Sequence, residues 1–509
     1  MKPNESRPRM NKRMGSVVAA ILALFFVLFS TTVAACALGK MYNLPIPFNM
    51  YATGAATALV ASFIVVVYVF KSQAASVNVS ADSYSRTSQM PSANIPRWLV
   101  SALGSVSVFG LFLAVAAGLF GSINPLNNFG MVFVWITSTL GLTYLTPLVG
   151  DVYALISPWR TLCDRLEKVN PGIFSGKVRF AGRLKYYPAL ALYMIFIGIE
   201  LFGMIRPQTL SVILLSYTAL NLAAAWLVGK EAWFQYGEFF SVFFRLLGKM
   251  SPLEYIRTRD SKHAWRVQVR KPFLGLLEAH AEHGSLLLFV LFMISSTAFD
   301  GAHDTRPWVE IFWRGIYPAL AAVISRPYPF WLDVYLVWQA ASLVLLPILY
   351  LAIYLLLLWA AKQVTNTSVS LRALALRFAF TLVPIAFVYN LAHYYTEFVS
   401  EGIQVVRMIS DPFSRGWNIF GTGGWFHNTI ILDAGQVWHT QVGLILFGHI
   451  VSVYLAHVEA LKSFPSRRNA ILSQVPMLLL MVLLTTVGLW ILSLPIDAGQ
   501  VSAMGVDPG

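Results

Sequence analysis

Charge is scarce in this 509-residue chain: Asp, Glu, Lys and Arg make up 12% of it, against 57% hydrophobic residues. With a mean hydropathy of +0.64, that balance excludes an ordinary soluble protein. Cysteine is nearly absent. The two present, Cys36 and Cys163, fall on opposite sides of a membrane in the reading below and so cannot pair. Carboxylates are fewer than basic residues, 23 against 37, which leaves a formal charge of +14. Such a charge can serve nucleic acid, but no basic stretch forms a recognisable binding module. Nucleic acid is therefore not an expected partner. The glycines form no phosphate-binding motif and no HExxH is present. Internal repeats of the kind many transporters carry are missing, and no polar stretch is long enough to be a domain of its own.

Long apolar runs are abundant. Runs of roughly 18–25 residues can cross a bilayer as helices, and about eleven occur. They lie near 16–36, 49–70, 98–121, 129–150, 186–205, 208–229, 280–300, 331–359, 374–397, 434–458 and 471–495. The expected fold is all-α, a polytopic transmembrane bundle of ten or eleven spans over residues 37–509 with its helical leader. The basic residues are unevenly shared between alternate loops. One set holds 25 of the 37, the opposite set 7, and the remaining 5 precede the first run. By the positive-inside rule the crowded side is cytoplasmic, where those charges meet anionic headgroups. This predicts a multi-pass inner-membrane protein, with the bilayer as its main partner.

The segment 1–36 reads in two ways. Lys2, Arg7, Arg9, Lys12 and Arg13 before an apolar run have the order of a secretory signal. Val33-Ala34-Ala35-Cys36 resembles a lipobox, which makes Cys36 a lipidation candidate. A permanent anchor helix fits the length of the run equally well. Farther on, the basic insert 230–279 contains Trp233, Phe234, Phe239, Phe240, Phe243, Phe244 and Leu247, spaced as for a helix lying on the inner leaflet. The stretch 301–330, with Trp308, Phe312, Trp313 and Tyr317, reads as a second interfacial helix on the opposite side.

Ionisable residues within spans are costly, roughly 2.5–3.5 kcal/mol each on insertion scales, and so are paired or functional. At about 1.5 Å per residue, His393 and Glu397 come close to the outer interface. They stand four residues apart on one helical face. Asp300 and His439 fall at similar depth. This constellation of His393, Glu397, Asp300 and His439 suits divalent-metal ligation or acid–base catalysis. Asp333, Asp433 and His303 form a second tier, with His449 deeper in the membrane and Glu200 also in the outer third.

Several segments resemble the bacterial membrane-bound fenitrothion hydrolases, an organophosphorus-hydrolase family. They are Asn43-Leu44-Pro45-Ile46-Pro47, Ser157-Pro158-Trp159-Arg160, Gly237-Glu238-Phe239-Phe240-Ser241-Val242 and Ser296-Thr297-Ala298-Phe299-Asp300. Tyr389-Asn390-Leu391-Ala392-His393-Tyr394, Ser410-Asp411-Pro412-Phe413, Gly448-His449 and Ala456-His457 complete the set. The resemblance covers about 43–460 and implies hydrolysis of a phosphorothioate or phosphate triester, with release of a nitrophenol. Such a substrate is neutral and lipophilic and can reach a site from the bilayer. A metal that lowers the pKa of its bound water, or a carboxylate–histidine base, would supply the nucleophile. A companion membrane subunit is compatible with this reading. Two rivals use the same residues: a transporter or channel with an ion path, and a redox protein with haem between His393 and His449.

Overall fold

The computed structural model describes residues 47–69, 91–203, 205–258, 263–426, 430, 432–464 and 466–494. The first apolar run and Cys36 lie outside them. Ten of the eleven expected helices lie within them, and all ten are present. They are α1 (Phe48–Val69), then, after strand β1 (Ser92–Pro96), α2 (Arg97–Phe120) and α3 (Phe129–Val149). Next come α4 (Pro158–Val169), α5 (Tyr187–Phe202), α6 (Pro207–Val228), and two short helices, α7 (Lys230–Tyr236) and α8 (Phe239–Gly248). Strands β2 (Leu253–Arg257) and β3 (His263–Val269) precede α9 (Gly284–His303), α10 (Tyr328–Thr365) and α11 (Leu371–Ser410). The series ends with α12 (Ala434–Ser463) and α13 (Arg467–Ser493). Among the described residues, nine helices are long and apolar enough to cross a membrane. The protein is an all-α, multi-pass membrane bundle.

Helix lengths follow the chain chemistry. Helix α10 runs 38 residues, about 57 Å at 1.5 Å per residue, so it extends well beyond a hydrocarbon core of about 30 Å. Its Leu336, Val337, Val344, Leu345, Ile348 and Leu349 remain exposed, which suits contact with lipid. Helix α9 is the reverse case. It is apolar on every side and almost wholly buried, from Leu286 through Phe299, so protein surrounds it. Helix α5 has only 16 residues and is shorter than the expected span. Pro384 has no N–H to donate, and α11 tightens just before it into a 3-10 turn at Ala379–Leu382.

Two groups of helices can be distinguished. Helices α2, α3, α5, α6 and α8 pack together, and α1 joins α10–α13 in the second group. Helix α9 touches both, and α11 meets the central part of α3. Loop contacts respect the alternation of ends. The strands form an antiparallel sheet in the order β1-β3-β2, which joins two loops expected on the basic side. Lys462 donates to the Leu277 carbonyl at 2.8 Å, and Arg467 to that of Val67 at 2.8 Å, at the same end. At the other end Ser414 donates to the Asn127 carbonyl at 2.8 Å.

One expectation is overturned. The aromatic helix of the basic insert does not lie on a leaflet. Helix α8 buries Phe239, Phe243, Phe244, Leu246 and Leu247 inside the bundle, against α3 and α5. Glu238 caps its first turn, accepting from the backbone N–H of Ser241 at 2.7 Å and of Phe240 at 3.2 Å.

Candidate functional site

A partly buried polar cluster sits where the two groups of helices meet. Asp300 is in the last turn of α9, and its Oδ2 lies 2.9 Å from Nε2 of His393 on α11. The Tyr394 hydroxyl donates a short hydrogen bond to the same oxygen. With Asp300 ionised, Nε2–H of His393 is the donor, which leaves Nδ1 as the free ring nitrogen of a neutral imidazole. Gly301 lies beside that edge; a Cβ there would come within 3.7 Å of Nδ1. His303, one turn beyond, donates from Nδ1 to the Asp300 backbone carbonyl at 2.8 Å and stacks on Phe299.

In front of this cluster is a cavity of about 290 Å³, walled by Glu200, Tyr394, Glu397 and Glu401 together with Trp135 and Thr139. Tyr394, Glu397 and Glu401 follow Asn390 at steps of four, three and four residues, so they form one stripe of α11. Glu200 enters from α5, close enough to Asp300 and Glu397 to interact electrostatically with both. A smaller space of about 40 Å³ continues inward past Glu200, Asn390 and Tyr394 to Phe239, Phe240 and Phe243 of α8. Beside it lies an apolar cavity of about 410 Å³, whose walls include Trp159, Phe196, Phe240 and Phe244. Thr139 borders all three spaces.

Thr139 belongs to a π-helical stretch, Val132–Gly141. Its hydroxyl donates to the carbonyl of Val134, five residues back, at 2.8 Å. Such widened turns are frequent at functional sites. The buried Asn390 Oδ1 and Tyr144 hydroxyl have no hydrogen-bond partner among the described residues. Buried polar groups in native proteins are nearly always satisfied, so a molecule in the small inner space that Asn390 lines is a natural partner for its Oδ1.

The candidates named from sequence separate into those brought together and those kept apart. Asp300 and His393 are bonded, His303 adjoins them, and Glu397 lines the cavity. His439 is elsewhere: exposed, with Nδ1–H donating to the Gly435 carbonyl at 2.6 Å and Nε2 3.4 Å from the Tyr51 hydroxyl. Asp333 is exposed on the first turns of α10. Asp433 caps α12, accepting from Gln436 N–H at 2.9 Å. His449 is fully buried in α12 and donates from Nδ1 to Ile445 at 2.8 Å, within its own helix. Among the described residues no three His, Cys, Asp or Glu side chains converge as metal ligands. Tyr394 and Asn390 escaped the sequence reading, although their spacing from Glu397 and Glu401 places them on the same stripe.

A second carboxylate is buried at the start of α8. Glu238, fully buried, accepts from the Tyr217 hydroxyl at 2.6 Å and the Ser241 hydroxyl at 2.6 Å. Asp151, just past the end of α3, interacts with it electrostatically. Burial pushes the Asp151 carboxyl up to about 6, against the opposing pull of Arg245. No known protein family, curated protein or solved structure matches this chain.

Proposed function

We propose that the protein is a membrane hydrolase of neutral, lipophilic organophosphorus triesters, with its reacting centre in the cavity walled by Glu200, Tyr394 and Glu397. The observation that carries the reading is that a carboxylate-lined cavity and a large apolar one lie side by side, with Trp135 and Thr139 in the walls of both. A triester dissolved in the bilayer would place its aryl and alkyl groups among Trp159, Phe196 and Phe240, with phosphorus at the polar end. Glu397 takes a proton from water as that water attacks phosphorus. Glu200, when protonated, gives its proton to the departing aryloxide oxygen; a nitrophenol needs little such help. Asp300 and His393 do not line the cavity. They hold the Tyr394 hydroxyl at its wall, as a carboxylate orients a neighbouring group in hydrolytic triads. By the positive-inside rule the centre faces the periplasm of a bacterial inner membrane.

The test is nitrophenol release from a phosphorothioate triester by the purified protein in detergent, with no ion gradient. Glu397→Gln keeps shape and removes the charge, and turnover should fall about 10²-fold or more, the scale of general-base assistance. A folded wild-type protein that releases no nitrophenol ends the proposal.

A proton-coupled transporter is the second reading, favoured by two carboxylates within the bundle: Glu200, which lines the inner space with Phe239 and Phe240, and Glu238, which caps the helix that carries them. Acidification of proteoliposomes that depends on both glutamates, without hydrolysis, would select it.

A further inference from the structure

The face richest in Lys and Arg holds another cavity, of about 810 Å³, between the start of α2, helix α4 and the ends of β2 and β3. Arg97, Arg160, Arg165, Lys168 and Arg257 line it, with Asp164 and Glu231. The acids are already engaged. Glu231 accepts from Arg160 at 2.6 Å through one oxygen and from Arg257 at 2.8 Å through the other. Lys230 sits behind the wall, 2.6 Å from Asp164 Oδ1, and bonds Glu167 as well. Setting Arg97 aside and counting those two, five cations meet three carboxylates among the described residues, and Arg165 and Lys168 are the two that no carboxylate balances. Arg165 is fixed there by a bond to the Ser105 hydroxyl of α2. Arg160, Asp164 and Lys168 succeed one another at four-residue steps, which keeps them on one face of α4.

The cleft has the depth of a membrane interface. It opens at the first turn of α2, a helix long and apolar enough to cross. Trp98 of that turn is exposed, and indole rings gather at headgroup level. Trp265 forms part of the cleft wall. Arginine forks match phosphate oxygens in pairs.

We propose that this cleft binds a phosphate group, that of an anionic phospholipid headgroup or of a soluble phosphorylated molecule. The full-length protein is titrated in neutral detergent with phosphatidylglycerol, phosphatidylcholine or inorganic phosphate, and thermal stabilisation is followed. Saturable stabilisation by phosphatidylglycerol, beyond that by phosphatidylcholine, assigns the cleft to a lipid headgroup. Stabilisation by inorganic phosphate above that of chloride at equal ionic strength, with phosphatidylglycerol no better than phosphatidylcholine, assigns it to a soluble ligand. At about fivefold per cation, half-saturation in Arg165→Gln/Lys168→Gln should weaken roughly 30-fold. Lys168→Glu changes one exposed side chain and should weaken binding even if the double variant folds poorly. Arg372→Gln, on α11 and outside the cleft, should bind as the wild type does. The proposal is overturned if neither ligand stabilises the wild type, or if Lys168→Glu binds as the wild type does.

Discussion

Asp300 Oδ2 takes hydrogen bonds from both His393 and Tyr394, so one buried oxygen ties two neighbouring residues of α11 to the end of α9. Removing either donor tests a different role. His393→Ala leaves Asp300 with less compensation for burial, a loss on the order of 1–3 kcal/mol, and should lower both the thermal midpoint and turnover. Tyr394→Phe keeps the ring and the helix contacts and deletes only the hydroxyl at the cavity wall. Its kcat should fall roughly tenfold with KM nearly unchanged, and loss of the second donor to Asp300 should lower the thermal midpoint as well. Equal turnover in Tyr394→Phe and wild type would remove the phenol from the mechanism.

Helix contacts decide what those residues can reach. Helices α11 and α12 approach closely at Gly448, where a Cβ would collide with Val388 and the Pro384 carbonyl. Small residues permit such approach between membrane helices. Gly448→Val should cost about 1–3 kcal/mol through overpacking, read as a lower thermal midpoint in detergent. A midpoint equal to that of the wild type would mean the contact is looser than the geometry indicates. Helix α8 shows why one element was misread. Its aromatics have the period of an amphipathic helix, and that period is the same whether the apolar face meets lipid or protein. Burial by α3 and α5 settled the matter, and no local pattern encodes it.

For the molecule as a whole, the distribution of Lys and Arg predicts orientation, and the contacts at each end keep the same alternation. Reporter fusions after Lys185 and Lys271 should read cytoplasmic, and fusions after Asp304 and Gly424 periplasmic. Consistent inversion of all four would turn the protein over and place the carboxylate cavity on the cytoplasmic side. The meeting of two helix groups explains where that cavity lies. Asp300 of α9, Glu200 of α5 and the stripe of α11 come from separate parts of the chain and converge only at that junction.

The sequence alone determined the all-α membrane class, the positions of the ten helices described, and the height of each ionisable residue along its helix. Those follow from hydropathy and a rise of about 1.5 Å per residue. The near-equal heights of Asp300 and His393 were legible for that reason, and the two proved to be bonded. His439 was given a similar height and yet stands apart beside Tyr51. Height says nothing about the direction a side chain faces or which helix lies there. Rotation and neighbours are set by packing between segments distant in sequence. Only the tertiary structure therefore turned Tyr394, Glu397 and Glu200 into one cavity, buried Glu238 at the start of α8, and left His439 outside.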